Sequence, residues 1–181
     1  MSLVDVVDLD GNPTGQTTTQ KECFEKGLLK RCAWVFFVCK KRWILFQMRS
    51  KNKSLYPSHW HVTVSGHLDV WETPTEWALR EVREELDLKL EVADLHFQGV
   101  FAEKKTLPNA FITNDLLSVY FVNWTDKDSN FSLQSEEVDK LQWFSFGELE
   151  QKFSGEWPEN FVPYRRIFQS MISLAQEFLR K

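Results

Sequence analysis

Three glutamates, Glu81, Glu84 and Glu85, stand at i, i+3 and i+4 in this 181-residue chain. On a helix they rise one above another on a single face, about one turn apart. Like charges at that spacing repel by about 0.2–0.5 kcal/mol per pair, and no lysine stands between them to relieve the repulsion. A divalent cation removes the conflict. Hard carboxylate oxygens, with waters completing the shell, suit magnesium or manganese held together with a substrate phosphate. An isolated E-x-x-E-E pattern also fits an acidic, solvated helix face, and the flanking residues decide between the two readings.

Those flanks describe a helix built to hold its side chains in place. Thr73-Pro74-Thr75-Glu76 reads as a capping box with proline at the first helical position, which satisfies two orphan amides and fixes the start. Ala78, Leu79, Val82 and Leu86 form an apolar stripe at helical spacing. Successive residues turn by roughly 100°, so the three glutamates fall to one side of the stripe, beside a cleft. Arg80 stands four residues after Glu76. It either supports the helix by that pair, worth about 0.3 kcal/mol, or orients a neighbouring carboxylate through a forked hydrogen bond.

From Gly66 to Leu88 the chain resembles the signature of the Nudix hydrolase superfamily: glycine, five residues, glutamate, seven residues, then R-E-apolar-x-E-E-x-G-apolar. Gly66, Glu72, Arg80, Glu81, Val82, Glu84, Glu85 and Leu88 fall on it. Asp87 replaces the usual last glycine, a position that normally ends the helix in a left-handed conformation; aspartate tolerates this better than most residues. Trp77 is large where family members carry a small residue. It either walls the site or packs, and packing is the preferred reading.

Upstream residues narrow the resemblance. Asp8 to Gly15, Lys26-Gly27-Leu28-Leu29, Gln47 to Ser50, Lys53, Tyr56-Pro57, Trp60 and Ser65-Gly66-His67 are similar to a subgroup close to isopentenyl-diphosphate isomerase. In that enzyme a catalytic cysteine precedes the Gly-His pair, where this chain has Ser65. Lys30 and Cys23 stand where it has metal-binding histidines. A hydroxyl does not replace a thiol as acid and base, and protonated lysine is no ligand, so hydrolase is the expected activity and isomerase the rival. A non-catalytic module that binds a diphosphate ligand is the third reading.

The resemblance implies an α/β fold, the Nudix-type α/β/α sandwich with a mixed β-sheet. It implies a Mg2+-dependent hydrolase, Mn2+ being an alternative, that cleaves the diphosphate linkage of a nucleoside diphosphate or nucleoside diphosphate-X compound. Glu81, Glu84 and Glu85, with the Gly66 carbonyl, are then the metal ligands. Glu72 and Arg80 orient them, and Glu81 or Glu84 serves as general base. Asp115 lies where related proteins place an acidic residue, although a turn aspartate reads the same way. Arg49 and Lys53 are candidate phosphate contacts or plain surface charges, and Glu136 and Glu137 read as a solvated pair.

Composition agrees with an enzyme domain. The chain is 43% apolar, with eight tryptophans and fifteen phenylalanines to fill a core. A net charge of −4 and a pI near 5.6 give no broad basic surface, so a small-molecule diphosphate is expected as partner rather than nucleic acid or membrane. The longest apolar run, Cys32 to Cys39, is too short to span a bilayer, and the N-terminus lacks a secretory pattern. Three cysteines without zinc spacing point to reduced thiols and a cytoplasmic protein. Oligomeric state is left open.

The remaining elements alternate without repeats. Strands are expected at 3–8, 33–40, 43–49, 60–65, 95–103, 116–124 and 138–144, with a turn at Asp10-Gly11-Asn12-Pro13 and a hairpin around Lys40-Lys41-Arg42. Helices are expected at 146–153 and 164–179, the latter burying Ile167, Phe168, Met171, Ile172, Ala175 and Leu179. The chain reads as one domain over 1–181, with residues 1–30 an N-terminal extension packed on it and 161–181 a C-terminal helix.

Overall fold

The computed structural model describes residues 3–40, 43–107, 110–125 and 131–180. Its strands are β1 Leu3–Val7, β2 Pro13–Thr19, β3 Lys30–Cys39, β4 Trp43–Arg49, β5 Trp60–Val62, β6 Val64–His67, β7 His96–Thr106, β8 Ile112–Asn123 and β9 Val138–Ser145. Its helices are α1 Gln20–Lys26, α2 Pro74–Leu86, α3 Phe146–Ser154 and α4 Arg165–Phe178. The class is mixed α/β, as expected.

β3 organises the sheet. It runs parallel to β8 from Lys30↔Asp115 to Val38↔Asn123, and antiparallel to β6 from Cys32↔His67 to Val35↔Val64. Eight of its ten residues from Cys32 onward are buried apolar side chains, the pattern of a strand covered on both faces. Side chains alternate across a strand. Trp34, Phe36 and Val38 therefore pack with α3 and α4 through Phe153, Phe168 and Met171. Ala33, Val35 and Phe37 pack on the other side with Trp77, Ala78, Val82 and Leu86 of α2. Two helical layers thus enclose a mixed sheet.

The strands part where the site lies. β3 and β4 pair only next to their hairpin, at Val38↔Ile44 and Cys39↔Trp43; Lys41 and Arg42 of the expected turn fall outside the described residues. Beyond that point β5 follows β4 and β6 follows β3. Thr63 marks the divergence: its hydroxyl donates to the Leu45 carbonyl at 2.6 Å and accepts from the Phe37 amide at 3.0 Å. The single strand expected over 60–65 is therefore two short ones, which serve different neighbours. A wedge opens between them.

Several expectations need correction. Residues 13–26 form a strand and a helix, β2 and α1, where the sequence reading has only an extension. β2 (PTGQTTT) is polar and mostly exposed, held by pairing with β1, so no apolar alternation announces it. α1 spans seven residues, too few for periodicity, although Thr19 caps its start and Gly27 ends it in the left-handed region. Asp115 lies inside β8 rather than before it or in a turn. Leu79 and Leu179 are only half-buried members of their stripes. Among the described residues no helix is long and apolar enough to cross a membrane.

Candidate functional site

α2 begins on the expected capping box. The Thr73 hydroxyl accepts from the Glu76 amide, and the Glu76 carboxylate accepts from the Thr73 amide at 3.0 Å. Glu76 is thereby occupied and does not pair with Arg80. Arg80 instead forks onto Glu72, Nε to Oε1 at 2.8 Å and Nη2 to Oε2 at 3.0 Å. Its remaining nitrogen, Nη1, donates to Glu81 Oε1 at 2.6 Å and to Glu84 Oε2 at 3.2 Å. One planar guanidinium so fixes three carboxylates, and these bonds, that to Glu72 foremost, raise its pKa. The helix ends at Asp87, in the left-handed region at φ 53°.

Glu85 is the third carboxylate, and Arg80 does not reach it. It is 4% exposed, and its Oε2 has no hydrogen-bond partner. Burial first, then the charges of Glu81 and Glu137, push its carboxyl up to about 8. Glu81 is raised as well, by burial ahead of the opposing Arg80. A buried acceptor without a donor is a destabilising arrangement unless something positive completes it. A hard divalent cation suits these oxygens.

The wedge between β4–β5 and β3–β6 holds a cavity of about 440 Å³, large enough for a small ligand. Glu81, Glu85, Arg80 and Gly66 line it, as do Arg49 and Lys53, whose charges act on Glu85. Arg49 donates Nε to the Leu55 carbonyl at 3.1 Å, and burial lowers its pKa. Lys53 is ion-paired to Glu137. Phe24, Cys32, His67, Asp115 and Tyr164 also line it, the middle three brought together by the register of β3 with β6 and β8. Asp115 there accepts from the fully buried Lys30 ammonium at 2.5 Å. Glu84 is not part of the wall; its side chain is half exposed and is held from outside by Arg80. Glu72 stands behind Arg80 in the same way.

Trp77 packs. It is fully buried beneath Gly66, where a Cβ would come within 2.9 Å of its Cζ2. Residues that the sequence left out also line the cavity. Glu137, read as half of a solvated pair, faces it and balances Lys53; only strand pairing of β9 with β4 brings it there. His61, buried, and Tyr164, half-buried, also line the wall with little to flag them in the sequence.

Comparison with known proteins is consistent with this arrangement. A NUDIX domain profile matches residues 28–165. The chain is 31% identical over 164 residues to "Nudix hydrolase 3" of Arabidopsis thaliana, an alignment covering 88% of this chain and 21% of that protein. The chain thus spans about a fifth of that relative's length. It is 33% identical over 104 residues to "Isopentenyl-diphosphate Delta-isomerase" of Salmonella heidelberg, covering 57% of this chain and 55% of the isomerase. A crystal structure from Deinococcus radiodurans superposes with a TM-score of 0.68 at 18% identity, covering 97% and 98% of the two chains, and shares the fold.

Proposed function

The chain belongs to the Nudix family, and on that premise we propose that it is a Mg2+-dependent hydrolase of a nucleoside diphosphate or nucleoside diphosphate-X compound. The unpartnered Glu85 oxygen, in a cavity lined also by Glu81, Arg49 and Lys53, carries this reading. Glu81, Glu85 and the Gly66 carbonyl, which line the cavity, are the proposed ligands, and Glu84 stands beside them on Arg80. A magnesium ion held there would lower the pKa of a water and offset the charge of the diphosphate.

The chain's own groups do the positioning. The Arg80 fork keeps Glu81 and Glu84 in register through Glu72, so the ligands do not reorganise when substrate enters. Arg49 and Lys53 face the phosphates as cations; to use Lys53, substrate displaces Glu137 from its ion pair. Glu81 is the proposed general base, since it reaches the cavity and Glu84 does not. Asp115, engaged by Lys30, is assigned to contact the group beyond the diphosphate. The reading treats residues 1–181 as one domain, and its free cysteines agree with a cytoplasmic protein.

Isomerase activity is the second reading, favoured by the Salmonella relative. Ser65 lines the cavity without a thiol, and Lys30 is locked against Asp115. The test is a panel of nucleoside diphosphates, nucleotide sugars and other diphosphates with magnesium or manganese, read as released phosphate or monophosphate. Metal-dependent turnover is expected. Tight binding without turnover would leave a diphosphate-binding module, and interconversion of isopentenyl and dimethylallyl diphosphate above background would establish the isomerase.

A further inference from the structure

Strand register assembles a second constellation in the lining of the cavity. Cys32 lies opposite His67 across β3–β6, and Lys30 opposite Asp115 across β3–β8. Ligand-type atoms of Cys32, His67 and Asp115 fall within 4.8 Å of one another. One sulfur, one imidazole nitrogen and one carboxylate oxygen would suit a zinc-class ion with a fourth position left open.

Lys30 stands in the way. Its side chain is fully buried, its Nζ is 2.5 Å from Asp115 Oδ1 and 4.6 Å from the centre of the Phe24 ring. Burial works to lower its pKa, but the Asp115 carboxylate in contact with it opposes this and the pKa is raised, so the ammonium persists. The Cys32 thiol is driven well up by burial and then by Asp115. The thiol is therefore neutral. One ammonium balances one carboxylate, and nothing further is required. A divalent ion placed among the three would meet an ammonium that cannot leave to solvent.

We propose that the Lys30 ammonium is the resident cation of the Cys32–His67–Asp115 cage, so that the protein carries its metal only at the α2 carboxylates. Removing the lysine uncovers a transition-metal site with thiolate ligation. The fixed charge makes this part of the cavity lining neutral and metal-free, which distinguishes the chain from proteins that place a ligand at position 30.

Cobalt(II) tests this, because thiolate ligation gives a near-ultraviolet charge-transfer band that carboxylate ligation does not. The wild-type protein, Lys30→Met and Lys30→Met/Cys32→Ser are titrated with cobalt, and thermal unfolding is followed with and without zinc. The expected result is no band in the wild type, a band saturating near one equivalent in Lys30→Met, and its loss in the double variant. Zinc is expected to raise the unfolding temperature of Lys30→Met more than that of the wild type. A thiolate band in the wild type overturns the proposal. So does a folded Lys30→Met without one, or a Lys30→Met that zinc fails to stabilise. Sulfur ligation is read directly, so the outcome is independent of whether the α2 carboxylates support hydrolysis.

Discussion

Glu85→Gln keeps the shape of a buried side chain and removes its charge. If the carboxylate takes part in the metal site, kcat should fall by about 10²-fold or more, the usual penalty for losing part of an electrostatic site. Stability without metal should move the other way. The folded carboxyl titrates near 8 against 4.5 for the ordinary group. A raised pKa contributes stability that is full below about 4.5 and is lost as pH rises through about 8. Urea midpoints in chelator should therefore shift in favour of the variant between pH 5 and pH 8.5, and magnesium should recover the wild type alone. Parallel pH profiles for the two proteins would remove Glu85 from the site. Glu72→Gln leaves half of the Arg80 fork and should lower metal affinity or kcat by about 10–100-fold. Glu136→Gln, on an exposed carboxylate that accepts from the Ser135 hydroxyl, should change kcat less than twofold, within the ordinary tolerance of surface sites.

At the scale of elements, α2 is fixed by its caps and by what lies beneath it. Gly66→Ala would press a Cβ to 2.9 Å from the Trp77 ring, which is wholly buried and has nowhere to retreat. Overpacking of this kind costs about 1–3 kcal/mol, measurable as a lowered urea midpoint. A Trp77→Phe change in the same chain should recover part of that loss; no recovery would mean that the constraint on Gly66 is its backbone and not the ring. Legibility also divides by element. The capping box, the apolar stripe and the glutamate ladder place α2 from the sequence because every signal is local. α1 carries only its caps, Thr19 and Gly27, and β2 no such signal. β2 is a polar edge strand that exists by pairing with β1, and α1 is shorter than the span over which a 3.6-residue period can be recognised.

Across the whole molecule, Lys30 and Asp115 join two strands 85 residues apart in the chain. Removing one member of a buried pair leaves the other uncompensated, and Lys30→Met should cost about 3–5 kcal/mol in the absence of metal. Lys30→Met/Asp115→Leu should lose less, since no charge is then stranded; equal losses would argue that packing, not charge, is at stake. Two histidines, His61 buried and His67 half-buried, are expected to set the acid limit. His61 is lowered well below its ordinary value by burial and then by Arg49, and His67 to about 4. A depressed histidine binds protons more readily unfolded, so stability falls as pH drops from about 6.5 towards 4. His67→Gln should flatten the acid limb of the urea-midpoint profile, and an unchanged limb would exclude His67 as a contributor.

The sequence by itself determined the glutamate ladder of α2, its capping box and the serine in place of the isomerase's thiol, because each is read from neighbours within a few residues. Tertiary structure alone decided which groups share the cavity. Arg80 turned from Glu76, its neighbour one helical turn away, to Glu72 on the preceding loop, since the capping box had already engaged Glu76. Glu137 came to face Glu85 and Lys53 through the pairing of β9 with β4. Asp115, which reads as a turn residue, became the buried partner of Lys30 through the parallel register of β3 and β8. Register is set by which faces bury apolar surface over the whole sheet, and that sum over distant strands is not written at any one position of the chain.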